Sequence, residues 1–199
     1  MAVMDAVPVT TDEGQPQTQT QQPVPAGRGT VELQAVSMEN VNKVRNLNAV
    51  LFPVRYSAMF YKCLVEAGQF AHLAFYGGTC VGTITCRKQP LGFADMPSAV
   101  VAAPSLQMRP PVDYEMYMMT LGVLAPYRRL GIARTLVDAA VASAGADPSI
   151  KRVVLHVQIN NDDALRFYHK QGFTTMQMVE RYYRLLEPPH AYLLQYTVR

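Results

Sequence analysis

The sequence has few of the features that mark secreted, membrane-spanning or metal-binding proteins. Its three cysteines, Cys63, Cys80 and Cys86, are an odd number without close spacing. This gives neither a disulfide framework nor a zinc quartet, and it favours a reducing compartment. No apolar run approaches the roughly 20 residues of a membrane span, and the N-terminus lacks the basic start and apolar stretch of a signal peptide. We therefore expect a cytoplasmic protein, with the nucleus as a second location, and neither a membrane partner nor a bound metal.

Basic residues are missing from residues 1–27, where the charged side chains are all acidic: Asp5, Asp12 and Glu13. The rest of the chain is therefore more basic than the net charge of +3 indicates. A modest positive field suits a polyanionic ligand, although a solvated basic surface explains the same charges equally well. Charge alone leaves both interpretations open.

The composition separates residues 1–28 from the rest of the chain. These residues are rich in Gln, Thr, Pro and Gly, and such a segment cannot bury enough apolar area to offset the entropy of the chain. We predict a disordered tail at 1–28 and a single domain at 29–199, which is long enough to bury a core without disulfides or metals. A Pro-rich stretch at 89–111 predicts a long loop within that domain, either functional or mobile.

Hydrophobic periodicity predicts a mixed α/β domain with an antiparallel half and one β-α-β crossover. Ser57 is expected to cap the second helix, and Asn161 or Asp162 the last one. A Gly77-Gly78 turn is expected to join the second and third strands. The predicted strands are 31–36, 70–76, 79–87, 114–124, 152–159, 173–179, 182–186 and 191–198, and the predicted helices are 38–51, 57–66, 128–144 and one that ends at Lys170.

The strongest chemical signal is the segment LGVLAPYRRLGIA, which runs from Leu121 to Ala133. A strand ends there, and a basic segment opens a helix. The first N–H groups of a helix have no partner within it and lie at the positive end of its dipole, so they can gather around a pyrophosphate. Gly131 permits close approach of the backbone, and Arg128 and Arg129 add positive charge. An exposed helix start with two solvated arginines is the alternative.

This segment resembles the acyl-CoA motif R/Q-x-x-G-x-G/A of the GNAT acetyltransferases, placed after the fourth strand as that fold requires. Four segments in the same order are similar to the San-type N-terminal acetyltransferases, the catalytic subunits of NatE. The resemblance covers roughly residues 30 to 199, apart from the loop at 89–111, which is much longer than in the animal members. The four segments are FPVRY (52–56), YMMTLGVLAPYRRLGIA (117–133), LHVQINNDDALRFYHKQGF (155–173) and YYRLLEP (182–188).

The resemblance implies an α/β GNAT fold, a mixed, mostly antiparallel sheet flanked by helices. Acetyl-CoA would bind in a V between the fourth and fifth strands. The pyrophosphate would lie on residues 128–133, and a backbone N–H near Val123 would hold the developing oxyanion. The acetyl group would pass to the amine by direct attack. The residues implied in coenzyme binding are Leu121, Val123, Arg128, Arg129, Leu130, Gly131, Ile132, Ala133, Asn161 and Tyr168.

Three side chains are implied as catalytic. Tyr168 would protonate the departing thiolate, and the alternative is that it is a core aromatic residue. Tyr117 and His156 lie on neighbouring predicted strands, and in San-type members the matching pair takes a proton from the amine through a water. A purely structural histidine is the alternative for His156. Because an α-amino group has a pKa of about 7.7–8.0, a mild base suffices.

A further set of residues matches the walls of the peptide groove in San-type members. Pattern alone is equally consistent with a core loop and a Tyr-rich strand end. The resemblance implies as substrate a retained initiator Met followed by a hydrophobic residue. The residues implied in peptide binding are Phe52, Pro53, Val54, Tyr56, Arg87, Met119, Tyr182, Tyr183 and Leu186.

The implied partners are the N-termini of nascent or mature proteins and the NatA auxiliary and catalytic subunits, and through them the ribosome. Direct DNA binding is not expected. Two other functions stay open: acetylation of protein lysines or a small amine, and a catalytically silent subunit that scaffolds NatA. The aromatic groove residues argue against the first, because they would narrow access to the acceptor site. The complete set of coenzyme and catalytic residues argues against the second.

Overall fold

The structure is a computed structural model that describes residues 29–52, 54–95, 113–184 and 186–198. The predicted tail at 1–28, Pro53 and residues 96–111 of the predicted loop lie outside these ranges. The predictions made for them stay predictions. Within the described residues, no helix is long and apolar enough to cross a membrane.

The described residues form seven strands and four α-helices in the order expected for a mixed α/β domain. Ser57 caps the second helix by accepting the Phe60 N–H, and Asn161 caps the last helix by accepting the Ala164 N–H, so both predicted caps are confirmed. The elements are β1 (Val31–Ala35), α1 (Val41–Leu51), α2 (Ala58–Ala67), β2 (Ala71–Tyr76), β3 (Thr79–Pro90), β4 (Tyr114–Val123), α3 (Ile132–Gly145), β5 (Ile150–Gln158), α4 (Asp162–Lys170), β6 (Thr174–Val179) and β7 (Ala191–Thr197).

The predicted strand at 182–186 is wrong. Tyr182 and Tyr183 lie in an irregular segment that follows Arg181, whose φ of 52° turns the chain out of an extended conformation. The segment is held by its own backbone and by β5. The Tyr183 N–H donates to the Pro189 carbonyl at 2.8 Å, and the Gln158 side chain donates to the Pro188 carbonyl at 2.8 Å. These contacts place the two tyrosines beside β5 without a ladder.

Two predicted boundaries also move. Helix α3 begins at Ile132 and not at Arg128, because Arg129 (φ 67°) and Gly131 (φ 83°) both have left-handed backbones that a helix excludes. Strand β3 continues to Pro90, so the first two residues of the predicted loop at 89–111 are strand. Pro90 closes the strand, a position that a residue without an N–H tolerates.

The sheet has the strand order β1-β2-β3-β4-β5-β7-β6, and β4 and β5 are its parallel pair. Helix α3 makes the crossover between them, which confirms the predicted mixed, mostly antiparallel architecture. The pairing of β4 with β5 ends at Tyr117 and Val154, although β4 continues to Val123 and β5 to Gln158. Beyond Tyr117 the two strands therefore separate into an open V.

A β-bulge lies at the start of this V. Thr85 pairs with Thr120, but the next residue of β3, Cys86, pairs with Met118, so Met119 is the extra residue of β4. A bulge increases local twist and bends the strand that carries it, and bulges recur beside active sites. The bulge at Met119 therefore bends β4 where it leaves β5.

Helices pack on both faces of the sheet. On one face α3 buries Ile132 and Leu136 against residues that include Met116, Met118 and Val153. On the other face, α1 and α2 bury their apolar sides against β2. Since strand residues alternate between faces, residues 115 and 117 of β4 and residues 152, 154 and 156 of β5 belong to the face of α1 and α2.

Candidate active site

A cavity of about 590 Å³ lies at the mouth of the V, between the end of β4, the first turn of α3 and one face of α4. Five of its lining side chains are basic and one, Asp163, is acidic, and Asp163 is paired with Arg166 at 2.7 Å. This excess of positive charge suits a polyphosphate. The lining residues are Val123, Tyr127, Arg128, Arg129, Gly131, Ile132, Ala133, Arg134, Asp163, Arg166, Phe167 and Lys170.

The start of α3 is built to receive an anion in this cavity. Gly131 is the N-cap, and it has no side chain to occupy the first N–H groups of the helix. A Cβ added to Gly131 would meet no atom within 4 Å, so the space in front of the helix is open. Arg128 is fixed by its Nε, which donates to the Val123 carbonyl at 3.1 Å. These features fit the pyrophosphate of a nucleotide-like coenzyme.

Six of the ten predicted coenzyme residues line the cavity: Val123, Arg128, Arg129, Gly131, Ile132 and Ala133. Leu121, Leu130, Asn161 and Tyr168 are not among the lining residues, and Leu130 is 42% exposed. The sequence predicts a contribution from α4 through Tyr168 and the cap Asn161, but not through the four α4 residues that line the cavity. Their signal was present, because Asp163, Arg166, Phe167 and Lys170 recur at the spacing of one helix face.

Tyr168 lies in the core beneath the V, on the α3 face of the sheet. Its hydroxyl donates to the Met118 sulfur at 3.7 Å, and its ring packs edge-on against Phe173 with centroids 5.5 Å apart. Burial raises the pKa of Tyr168 well above its ordinary value, so the phenol keeps its proton. The residue is therefore both a core aromatic and a neutral O–H donor directed at β4, where the V opens.

Tyr117, His156 and Tyr182 form a connected cluster on the opposite face. The Tyr117 hydroxyl lies 3.0 Å from His156 Nδ1 and 2.7 Å from the Tyr182 hydroxyl. The Tyr182 ring stacks on the imidazole, with centroids 4.0 Å apart and planes 13° from parallel. Both hydroxyl protons are used if Tyr182 donates to Tyr117 and Tyr117 donates to Nδ1. That arrangement puts the imidazole proton on Nε2.

Burial keeps this cluster uncharged. It lowers the pKa of His156 to about 4 and raises the pKa of Tyr117 well above its ordinary value. The pKa of Tyr182 is raised as well, again mainly by burial. At neutral pH the site therefore presents a neutral imidazole and two neutral phenols, which can accept and pass on a proton through hydrogen bonds.

Phe52, Tyr56 and Met119 lie near the open end of β4. A Cβ on Gly122 would come within 3.0 Å of the Phe52 ring, so this ring packs directly on the β4 backbone. Phe52 and Tyr56 meet edge to face with centroids 6.4 Å apart, and Tyr56 and Met119 pack against the same α1–α2 cluster. Burial raises the pKa of Tyr56 to about 12. Together these side chains form an apolar wall with one neutral hydroxyl.

The other predicted peptide residues are placed less uniformly. The Arg87 guanidinium lies over the Tyr117 ring, 5.0 Å from its centroid, and Tyr183 contacts Tyr182 edge-on at 4.8 Å. Val54 is half-buried, and Leu186 is 45% exposed. Within the described residues, no group of three His, Cys, Asp or Glu side chains could hold a metal ion.

Comparisons with known proteins agree with this geometry. The model of the acetyltransferase (GNAT) family matches residues 40–173. The probable N-acetyltransferase san of Drosophila melanogaster is 38% identical over 86% of this chain and 83% of that protein. N-alpha-acetyltransferase 50 of Danio rerio is 36% identical over 86% of this chain and 91% of that protein. The structure of Arabidopsis thaliana Naa50 in complex with the bisubstrate analogue CoA-Ac-MVNAL is 35% identical, covers 83% of this chain and 97% of that chain, and superposes with a TM-score of 0.69. The chain therefore belongs to the GNAT acetyltransferase family, in the branch of San and N-alpha-acetyltransferase 50.

Proposed function

We propose that the protein transfers the acetyl group of acetyl-CoA to the α-amino group at the N-terminus of proteins, with a preference for a retained Met followed by a hydrophobic residue. The observation that carries this proposal is the V between β4 and β5. A basic, glycine-capped cavity lies at its mouth, and the neutral Tyr117–His156–Tyr182 cluster lies on the opposite sheet face from Tyr168. Acceptor and coenzyme can thus meet through the gap from opposite sides.

Acetyl-CoA supplies a thioester, and side chains of the V accept and donate the protons that the transfer requires. The amine nitrogen forms a bond to the acetyl carbon as the carbon–sulfur bond breaks. A water carries the amine proton to the Tyr117 oxygen as the Tyr117 proton passes to His156 Nδ1, and Tyr168 donates its own proton to the departing sulfur. Exchange with solvent then removes the proton from His156 and returns one to Tyr168, so that one proton has moved from nitrogen to sulfur overall. Backbone N–H groups of β4 beyond Tyr117 are free of the β5 ladder and can face the developing oxyanion. Loss of one such donor costs about 2.7–4 kcal/mol in other enzymes.

The low pKa of His156, about 4, limits what this residue does. It cannot deprotonate a charged ammonium of pKa about 7.7–8.0 with any driving force. Its role is to accept the Tyr117 hydrogen bond at Nδ1 while the Tyr117 oxygen receives the amine proton through a water, as the nitrogen–carbon bond forms. The enzyme therefore acetylates only those substrate molecules whose α-amino group is already neutral.

Preference for Met follows from the apolar wall of Phe52, Tyr56 and Met119. An unbranched thioether adapts to an irregular apolar pocket, and methionine sulfur packs well against aromatic rings. The Arabidopsis neighbour was solved with an analogue that carries the peptide MVNAL, in which Met precedes a hydrophobic residue. Selectivity should be graded, because one methylene in a pocket is worth about 1–3 kcal/mol.

The test is a competition among equal concentrations of three peptides: one that begins Met-Leu, one that begins Ser-Glu, and one with a blocked N-terminus and an internal lysine. We expect the Met-Leu peptide to be acetylated first, as measured by mass spectrometry, and the lysine peptide to be a weak substrate. Faster acetylation of the Ser-Glu or the lysine peptide would overturn the proposed specificity and leave only the family activity.

Association with NatA subunits, and through them with the ribosome in the cytoplasm, is a further part of the proposal. It is supported by the resemblance to San-type members and by exposed apolar side chains on α1 and α2, where Val50 is 62% and Met59 55% exposed. Sedimentation of the purified protein with and without a purified NatA complex tests this part. If the protein sediments at the same rate in both samples, the proposed association with NatA is wrong.

A further inference from the structure

A buried row of polar side chains crosses three strands beside the cluster of Tyr117, His156 and Tyr182. Gln89 of β3 is the register partner of Glu115 of β4, and Glu115 is the register partner of Arg152 of β5. The row lies on the α1–α2 face, two residues along the strands from Arg87 and Tyr117, which are themselves register partners. Two residues of a strand span about 6.6 Å, so the polar row and the Arg87–Tyr117 row are immediate neighbours.

Glu115 is the centre of the polar row, and it has no exposed surface. Its carboxylate accepts from Gln89 Nε2 at 2.7 Å, from Arg152 Nε at 2.9 Å and from Arg152 Nη2 at 2.6 Å. It also accepts the backbone N–H groups of Gly92 (3.2 Å) and Ala94 (2.8 Å). A buried charge that is this well bonded holds its partners in fixed places, because each lost bond would leave the charge unpaired.

Gln89 connects Glu115 to the Arg87–Tyr117 row. Its amide nitrogen donates to Glu115, which fixes the direction of the amide plane and turns the oxygen Oε1 towards Arg87. Oε1 accepts from Arg87 Nε at 2.9 Å. The Arg87 guanidinium in turn lies 5.0 Å from the centroid of the Tyr117 ring, a cation–π distance. Each contact in this chain sets the orientation of the next side chain.

We propose that Gln89, held by Glu115, is a positioning residue for acetyl transfer: it fixes the Arg87 guanidinium over Tyr117, so that the Tyr117 hydroxyl stays between His156 and Tyr182. The inference rests on the proposed function for its kinetic test. Tyr117 must satisfy two hydrogen bonds at once, at 3.0 and 2.7 Å, so a small rotation of its ring breaks one of them. Arg87 is the cation over that ring.

The test is a double-mutant cycle on Gln89 and Arg87. Gln89→Leu keeps a similar volume, removes the link to Arg87 and leaves Glu115 bonded to Arg152, Gly92 and Ala94. We expect kcat to fall about tenfold, the size of a modest loss in positioning, while the KM for acetyl-CoA stays unchanged. In an Arg87→Leu background the same change should lower kcat no further, because the route through Arg87 is already gone.

The matched control is Lys88→Gln on the same strand. Lys88 pairs with Asp147 at 2.6 Å, outside the polar row, so its replacement should leave kcat at the wild-type value. A purely structural role of Gln89 predicts the same fold-loss in both backgrounds, and that result would overturn the inference. An unchanged kcat in Gln89→Leu would overturn it as well.

A second measurement does not depend on the acceptor. The ¹⁵N resonance of His156 Nδ1 reports its hydrogen bond to Tyr117, and we expect it to move in Gln89→Leu and in Arg87→Leu but not in Lys88→Gln. An unmoved resonance in Gln89→Leu contradicts the positioning role even if the enzyme acetylates N-termini as proposed. If the protein instead acetylates lysines, the proposed specificity fails, while the resonance and the cycle with that acceptor still test the role of Gln89.

Discussion

Individual side chains at the centre of the site are buried or half-buried, and this burial decides which proton each one carries. His156 has a pKa of about 4, and the phenols of Tyr117 and Tyr168 have raised pKa values, in each case mainly because burial disfavours the charged form. All three are therefore neutral across the physiological range. Their chemistry consists of hydrogen bonds to the amine, a water and the sulfur.

Replacement of either His156 or Tyr117 should lower the rate of turnover without changing the affinity for the coenzyme. We expect His156→Gln and Tyr117→Phe each to lower kcat by about 10²–10⁴-fold, the usual size for loss of general acid–base help. The Kd for acetyl-CoA, measured by calorimetry, should stay the same, because neither residue lines the coenzyme cavity. Tyr114→Phe, the same change at the start of β4, is the control. Near-normal kcat in either variant would show that the residue is only structural.

The pH dependence of the reaction should follow the substrate and not His156. Since the pKa of His156 is about 4, its charge does not change between pH 6 and 9. The acidic limb of kcat/KM should then lie at the pKa of the peptide amine, about 7.7–8.0. A peptide whose first residue carries an amine of lower pKa should move the limb by the same amount. A limb that stays near pH 6.5 with both peptides would indicate titration of the enzyme.

The lowered pKa of His156 also makes the stability of the folded protein sensitive to acid. The pKa of His156 is about 4 in the folded protein, below the ordinary value of 6.5, so the unfolded chain binds the proton first as the pH falls. The free energy of unfolding should decrease from about pH 6.5 towards pH 4. In His156→Gln, urea unfolding at pH 7 and pH 4.5 should show a smaller decrease. Burial also lowers the pKa of His72, but His72 is present in both proteins, so the difference isolates His156. Equal decreases would contradict the assignment.

Among the elements, the start of α3 depends on one glycine. Gly131 has a φ of 83° and open space where a Cβ would be. We expect Gly131→Leu to abolish acetyl-CoA binding in calorimetry, because the new side chain would fill the space in front of the helix. The matched control is Gly78→Leu in the β2–β3 turn, which has a φ of 79° and equally open space. The control should show a similar loss of stability and normal binding. Unchanged affinity in a folded Gly131→Leu protein would exclude the assigned coenzyme site.

At the scale of the whole molecule, the N-terminal tail should be dispensable for chemistry. Residues 1–28 lack core-forming composition, and the described residues begin at Gly29, whose N–H donates to the Tyr76 hydroxyl at 2.9 Å. We expect deletion of residues 1–28 to leave kcat/KM for a Met-Leu peptide unchanged. A longer deletion through β1, to Ala35, is the control that should destabilise the protein. A large loss of activity in the shorter deletion would show that the tail packs on the domain.

Sequence alone determined the features that depend on residues close together in the chain, namely the secondary-structure elements and the coenzyme-binding segment. Among the described residues, periodicity located each β-strand and each α-helix, since burial on one face imposes a regular spacing of apolar residues. The coenzyme segment was also readable, because a strand end, a basic turn, Gly131 and a helix start are consecutive in the chain. Where local signals conflicted, prediction failed. The tyrosines at 182–183 have strand-like composition, but the turn at Arg181 and the bonds to Pro188 and Pro189 exclude a ladder.

The tertiary structure decided which distant residues act together. Gln89 and Glu115 are 26 residues apart, and Glu115 and Arg152 are 37 apart, so no local pattern joins them. They meet because the β3–β4 and β4–β5 registers put them in one row, and the bulge at Met119 changes the register only beyond that row. The stacking of Tyr182 on His156 likewise depends on a segment with no regular structure. Long-range register and irregular loops are set by the packing of the whole sheet, which a one-dimensional pattern does not contain.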